Sequence, residues 1–298
     1  MDIGIIGYGV VGKAVELAFK NKCSVYCNDL PQVDPTSEAS AEFKFRTKEY
    51  LVENCEYIFV CVPTPYNKTY DAIDTTILND VIHELDLIAL QRKTSPTVIV
   101  KSAVIPRAVN ALGKKLKRIN IVISPEYLTD RNSYHDMINQ KVMILGGTKT
   151  YTKEVEELFK YYSICNRHCK VSHCSAEEAA FLKYMENCFL AVKNIFNNQF
   201  KALYDTYFNT TEHSMFNKLL QIFYTDERMG VNPFPYQIPG QDGDIGYGGK
   251  CLPKDVKSII SEAKFFSKRL TLMERVDEIN ESIRTKRDWE DINGAISK

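Results

Sequence analysis

Short apolar runs recur through the first half of the chain and alternate with amphipathic stretches. Ile3–Ile6, Ser24–Asn28, Tyr57–Val62, Thr97–Lys101, Ile119–Ile123 and Val142–Leu145 read as strands. Between several of them, Val11–Phe19, Ile77–Leu90 and Lys153–Tyr162 carry apolar positions at helical spacing. Strands alternating with helices imply βαβ units, so the pattern predicts an α/β fold: a Rossmann-like, doubly wound parallel sheet covered by helices on both faces. The pattern changes near Ser175. From Ala176 to about Tyr207 there is no Gly or Pro, which predicts one helix of roughly 48 Å at 1.5 Å per residue. Ser175 is its expected N-cap, with Glu178 three residues on completing a capping box. Further helical pattern covers Phe216–Tyr224 and runs onward from Leu252, interrupted by a Pro/Gly-rich loop, Val231–Gly249. The last dozen residues are polar and expected to fray. Two domains follow, a sheet domain over 1–174 and a helical domain with a long central helix over 175–298.

Composition narrows the function classes. Lys+Arg and Asp+Glu each number 38, a net charge of zero, which argues against general electrostatic binding to nucleic acid or anionic lipid. No apolar run approaches the ~18 residues of a membrane span. Met1-Asp2-Ile3 passes straight into the first strand without the basic start of a signal peptide. Nine cysteines, several inside apolar runs, read as buried thiols in a reducing cytoplasm and not as a disulfide framework.

Gly7-Tyr8-Gly9-Val10-Val11-Gly12 follows the first strand and opens a helix. Gly7 permits a tight turn, Gly9 lets a pyrophosphate approach the backbone, and Gly12 lets helix pack on strand, with the helix N-terminus facing the phosphate. Asp29 ends the second strand 17 residues after Gly12. Its carboxylate suits ribose hydroxyls and repels a 2′-phosphate, which favours NAD over NADP. Three polar turns stand at the carboxyl ends of later strands, where open α/β sheets bind ligands: Val62-Pro63-Thr64-Pro65, Lys101-Ser102-Ala103 and Ser124-Pro125-Glu126-Tyr127-Leu128-Thr129-Asp130. In Gly246-Tyr247-Gly248-Gly249-Lys250-Cys251-Leu252-Pro253-Lys254-Asp255, Pro253 suits a first helical turn. Cys251 is then expected at a helix N-terminus beside Lys250 and Lys254, where dipole and cations favour thiolate. Asp255, one turn on, can orient or deprotonate a water. Gly248 leaves room for a substrate. Cys165, His168, Cys169, His173 and Cys174 are dense enough to suggest zinc, but their spacing matches no common site, and no metal is expected.

Taken together and in this order, these motifs resemble the UDP-glucose/GDP-mannose dehydrogenase family. The resemblance spans residues 3 to about 260. It includes Ala176-Glu177 leading to Lys183 and Asn187, a pair on one helix face, and Asp226-Glu227-Arg228-Met229-Gly230. It implies two successive NAD-dependent oxidations of a sugar C6 alcohol to a carboxylate, with UDP-glucose the first substrate to try. Cys251 is then the nucleophile, and Asp255, with Lys183 nearby, holds the water. Lys183 and Asn187 stabilise the oxyanion, and Glu126 stands near the thioester water. Gly7, Gly9, Val10, Val11, Gly12, Asp29, Val62, Pro63, Thr64, Ser102 and Asp130 fall to the cofactor. Tyr127, Leu128, Lys183, Asn187, Arg228, Tyr236 and Gly248 fall to the substrate, Arg228 from the neighbouring subunit of a homodimer built on the central helices. The chain departs from the family at Ala103, where Thr is usual, at Lys250, where Ser is common, and at Asp130 and Arg131, where Glu and Gly are usual. Gln241–Asp244 looks inserted, and the family's third domain is not expected here. Two other readings are a two-electron β-hydroxyacid dehydrogenase and a non-catalytic NAD or nucleotide-sugar binder.

Overall fold

A computed structural model describes residues 1–29, 44–114, 116–129, 131–230, 237–240, 242–292 and 294–297. Asp130 and Tyr236 lie outside the described residues. The chain divides into two compact units, Met1–Thr64 with Asp74–Lys183, and Pro65–Ile73 with Tyr184–Lys298.

The first unit is built on one sheet. Its strands are β1 (Asp2–Ile6), β2 (Ser24–Asn28), β3 (Lys44–Phe45), β4 (Tyr57–Val60), then β7 (Thr97–Val100), β8 (Asn120–Ile123), β9 (Val142–Gly146) and β10 (Lys170–Cys174). Their spatial order is β10-β9-β8-β7-β4-β1-β2-β3. All neighbours from β3 to β8 pair in parallel, with Ile3–Ile6 opposite both Val25–Asn28 and Tyr57–Val60. The predicted doubly wound sheet is thus present. β9 departs from it by running antiparallel to β8, joined through the single pair Ile123–Gly146, and β10 runs parallel to β9. The strands are apolar on both faces because both are covered. Ile58, Val60, Val98 and Val100 pack with Leu51, Leu78, Ile82 and Leu85 of α2 (Lys48–Asn54) and α3 (Thr76–Arg92). Phe59 and Ile99 point the other way, onto Phe19 of α1 (Val10–Phe19) and Phe159 of α6 (Lys149–Tyr162). Two shorter helices, α4 (Pro106–Gly113) and α5 (Ser133–Ile138), belong to the same unit.

The long helix α7 covers Ala176–Phe208. Its predicted capping box is formed: Glu178 N donates to Ser175 Oγ at 3.2 Å, and Ser175 N donates to Glu178 Oε2 at 2.8 Å. The second unit continues with α8 (His213–Phe223), α9 (Leu252–Phe265) and α10 (Thr271–Ile283). Cys188, Ala191 and Ile195 of α7 pack on Val256 and Ile260 of α9 and on Met273 and Val276 of α10. The C-terminal segment corrects the expectation of fraying. Trp289 is buried, and β11 (Ile296–Ser297) pairs in parallel with β5 (Tyr66–Asn67), which pairs with β6 (Ala72–Ile73). A buried indole and a strand partner outweigh the polar character of the flanking residues.

Candidate active site

The glycine loop of the first unit has the geometry a dinucleotide needs. Gly7 holds φ +90°, and a Cβ there would stand 2.8 Å from the Cys61 carbonyl. A Cβ on Gly12 would overlap the Gly7 carbonyl oxygen, so this glycine sets how closely α1 approaches the loop. Around Gly9 the space is open: a Cβ would meet nothing within 4 Å. Gly7 and Gly12 are thus required by close backbone contacts, and Gly9 faces open space. Val10 is exposed and Val11 half-buried at the first turn of α1. Asp29 accepts a hydrogen bond from Tyr8 N at 2.9 Å, which fixes the carboxylate beside the loop. Asn28, Asp29, Phe45, Arg46, Thr47 and Tyr50 line an adjoining cavity of about 420 Å³. These residues fit a dinucleotide, with room for a pyrophosphate at Gly9 and a carboxylate for the ribose.

The turns after β4, β7 and β8 are tied to one another. Thr64 Oγ1 donates to Ala103 O at 2.7 Å, and Ser102 Oγ donates to Val62 O at 2.6 Å. Pro63, between them, is exposed. Glu126 Oε2 accepts from Leu128 N at 2.6 Å. Lys183 Nζ donates to Glu126 O at 2.5 Å and stands 3.4 Å from Glu126 Oε1 and 5.2 Å from the Tyr127 ring centre. The structure therefore brings Glu126, Tyr127, Leu128 and Lys183 together. Lys101, fully enclosed, donates to Ser124 Oγ at 3.2 Å, and burial pulls its pKa down. Cys165 and Cys169 join the same apolar core while His173 sits between Thr152 and Glu156, and among the described residues no three His, Cys, Asp or Glu side chains are grouped to hold a metal.

In the second unit Cys251 is the N-cap of α9, half-buried, with Pro253 in the first turn, as expected. Asp255 is buried. Its Oδ2 accepts from Asn187 Nδ2 and its Oδ1 from Lys254 Nζ, both at 2.5 Å. The Lys254 ammonium, assigned from sequence to the thiol, is thus the direct ion-pair partner of Asp255. A buried carboxylate needs such compensation. The loop before Cys251 is held by residues the sequence did not single out. Asn280 Oδ1 accepts from Tyr247 N at 2.8 Å, and Asn280 Nδ2 donates to Tyr247 O at 3.0 Å. Asp288 Oδ2 accepts from Gly249 N at 3.0 Å. The Arg284 guanidinium, its side chain 1% exposed, pairs with Asp242 and Asp288. A Cβ on Gly248 would overlap that guanidinium. Asp244 accepts from Ile245 N, Thr285 N and Lys286 N. Burial would raise the Asp244 pKa, but these hydrogen bonds and that of the Thr285 hydroxyl outweigh it and hold the carboxyl below its usual value. Spaced four apart, Asn280, Arg284 and Asp288 read in sequence as a solvated face. The segment that looked inserted supplies one of their partners, Asp242 to Arg284, and its Asp244 holds the residues that follow Arg284. Arg228 is highly exposed and folds back on Asp226, with Nε 3.0 Å from Oδ1.

The model of the UDP-glucose/GDP-mannose dehydrogenase family NAD binding domain matches residues 1–163, and that of the family's central domain matches 177–282. The chain belongs to the UDP-glucose/GDP-mannose dehydrogenase family. NAD is the cofactor of its first unit, and the family is one of NAD-dependent nucleotide-sugar dehydrogenases. The UDP-glucose 6-dehydrogenase of Campylobacter jejuni is 26% identical over 96% of this family member and 73% of its own length. The UDP-glucose dehydrogenase of Pyrobaculum islandicum superposes with a TM-score of 0.74 at 18% identity, over 94% of this chain and 68% of its own. A 3-hydroxyisobutyrate dehydrogenase of Mycobacterium tuberculosis shares the fold at a TM-score of 0.69 and 13% identity, over 94% and 92%. Among the described residues no helix is long and apolar enough to cross a membrane.

Proposed function

We propose that the chain oxidises the C6 alcohol of a nucleotide sugar, UDP-glucose first, to the carboxylate in two NAD-dependent steps. The observation that carries this reading is a thiol at the start of α9 with a buried carboxylate one turn later, clamped by Asn187 and Lys254. A reaction that moves one hydride needs no thiol; an aldehyde held for a second oxidation does. NAD, when bound, accepts the hydride of each oxidation. Cys251 Sγ adds to the aldehyde carbon to form a thiohemiacetal, and the second oxidation leaves a thioester. Asp255 takes the proton of the water that adds to the thioester carbon, and the Cys251 sulfur leaves. We assign Lys183 and Asn187 to the oxyanion, Glu126 to the hydrolytic water, Tyr127, Leu128 and Gly248 to the sugar nucleotide, and Arg228 to the substrate of a neighbouring subunit. Residues 1–174 serve NAD and 175–298 the thiol chemistry, in the cytoplasm.

The dimer half of this reading is supported by α7. Met185, Phe189, Phe196, Phe200, Leu203 and Tyr207 form an exposed apolar stripe at helical spacing. Phe189→Asp with Phe200→Asp is expected to convert a dimer to a monomer in sedimentation. The activity is tested by incubation with NAD and a panel of nucleotide sugars, counting NADH formed. Two NADH per sugar is the expected result. One NADH points to the β-hydroxyacid type of reaction, and none, with NAD bound, to a binding protein.

A further inference from the structure

Gly249 stands two residues before the thiol and is held differently from the rest of its loop. It has φ +78°, and a Cβ built on it would meet nothing within 4 Å, so no packing fixes its backbone. Its neighbours are crowded. A Cβ on Gly246 would overlap the Asn280 amide, and one on Gly248 would overlap Arg284 and Asp288. Gly246 N donates to Asn198 Oδ1 at 3.2 Å, and Tyr247 is bonded to Asn280 through both its N–H and its carbonyl. At Gly249 the restraint is a single hydrogen bond, from its N–H to Asp288 Oδ2 at 3.0 Å.

Asp288 is itself fixed. It opens a 3-10 turn, Asp288–Glu290, and its Oδ1 accepts from Arg284 Nη2 at 2.9 Å. The Arg284 guanidinium lies 5.6 Å from the ring centre of buried Trp289. Beyond the turn, Tyr66 N donates to Ala295 O at 3.0 Å, and β11 pairs with β5. Arg284, Asp288 and β11 all follow residue 282, where the match to the family's central domain stops. A stretch outside that match thus reaches back to the loop that carries the thiol. We propose that Asp288 is a positioning residue for Cys251: by holding the Gly249 N–H it aims the sulfur at the aldehyde left by the first oxidation. The proposal rests on the Cys251 thioester reading. Hydride transfer from C6 involves substrate and NAD and does not involve sulfur. Addition of sulfur to the aldehyde carbon needs the two atoms about 3–3.5 Å apart, and a misplacement of about 1 Å can cost about 10²-fold. With Gly249 released, the sulfur samples other positions and the aldehyde leaves before it is captured.

Asp288→Ala removes the acceptor, whereas Asp288→Asn keeps an oxygen that can accept from the Gly249 N–H. Each protein is mixed with NAD and UDP-glucose, with and without hydrazine to trap free aldehyde, and stopped-flow traces give the rate of the first NADH. From Asp288→Ala the expected result is a first NADH at close to the wild-type rate, with NADH per sugar falling from two toward one. Trapped aldehyde is expected to rise by at least about tenfold. Asp288→Asn is expected to return both readings close to wild type. A first NADH slowed in parallel with the second, at unchanged aldehyde release, is the mark of a merely structural carboxylate and overturns the proposal. Two NADH per sugar without extra aldehyde from Asp288→Ala also overturns it, as do equal losses in both variants. If the wild-type protein releases two NADH per sugar, those results leave the proposed function standing. One NADH per sugar from the wild type, or none, overturns the proposed function and the positioning role together.

Discussion

Cys251 is expected to be the first of the nine thiols to react with limiting iodoacetamide at pH 7. The reason lies in the other eight. Burial pushes Cys27, Cys55, Cys61 and Cys188 up to about 12 and Cys169 to about 11, and it raises Cys23, Cys165 and Cys174 as well. Only thiolate alkylates. At pH 7 a thiol with a pKa near 12 is about one part in 10⁵ ionised, against about 3% for an unperturbed thiol near 8.5, a handicap of roughly 10³. Cys251 is half-buried at a helix N-terminus, where the aligned backbone dipoles favour an anion. Its rivals are Cys169 and Cys174, which are also only half-buried. Peptide mapping after substoichiometric labelling reads the outcome, with label on Cys251 expected to exceed any other site by at least about tenfold. Label appearing first on Cys169, Cys174 or a core cysteine refutes the reasoning. So does a Cys251→Ala protein that still yields two NADH per sugar.

NAD is expected to bind well ahead of NADP because the Asp29 carboxylate repels a 2′-phosphate; Asp29→Ala narrows the gap in a fluorescence titration, and equal wild-type affinities contradict the assignment. Hydrolysis of the thioester is expected to be the slow step, because Ala103 supplies no hydroxyl for the water. One unsatisfied hydrogen bond costs about 1–3 kcal/mol, or roughly 5- to 150-fold in rate, so Ala103→Thr speeds the steady state and spares the burst in stopped-flow traces. Asp244→Ala leaves the N–H groups of Ile245, Thr285 and Lys286 without their carboxylate, and a stability loss of about 1–3 kcal/mol in urea is expected. Because the folded Asp244 carboxyl is held below its usual pKa, its stabilisation is present above the unfolded value near 3.9 and is lost as pH falls through the folded one. Wild type and Asp244→Ala therefore converge in acid-titrated urea curves.

Much of the fold is legible in the chain because it is encoded by neighbours in sequence. Strand and helix periods located the sheet, Ser175 and Glu178 marked the start of α7, and Pro253 placed Cys251 at a helix N-terminus. The glycine loop is legible for the same reason: Gly7 and Gly12 meet atoms a few residues away or at the end of the adjacent strand. What the sequence left open depends on partners far along the chain. The reversal of β9 turns on a single pair with β8, and the C-terminal strand exists because Tyr66–Asn67 offers it an edge. The anchors of the Cys251 loop bond backbone groups 33 to 42 residues away, as in Asn280 with Tyr247 and Lys286 N with Asp244. Lys254 turned to Asp255 because a carboxylate removed from water needs a counter-charge at contact distance, and only packing determined which groups were removed from water. Residue type and spacing thus determined the elements and the inventory of reactive groups, while tertiary burial decided which charges pair and which thiols are silenced.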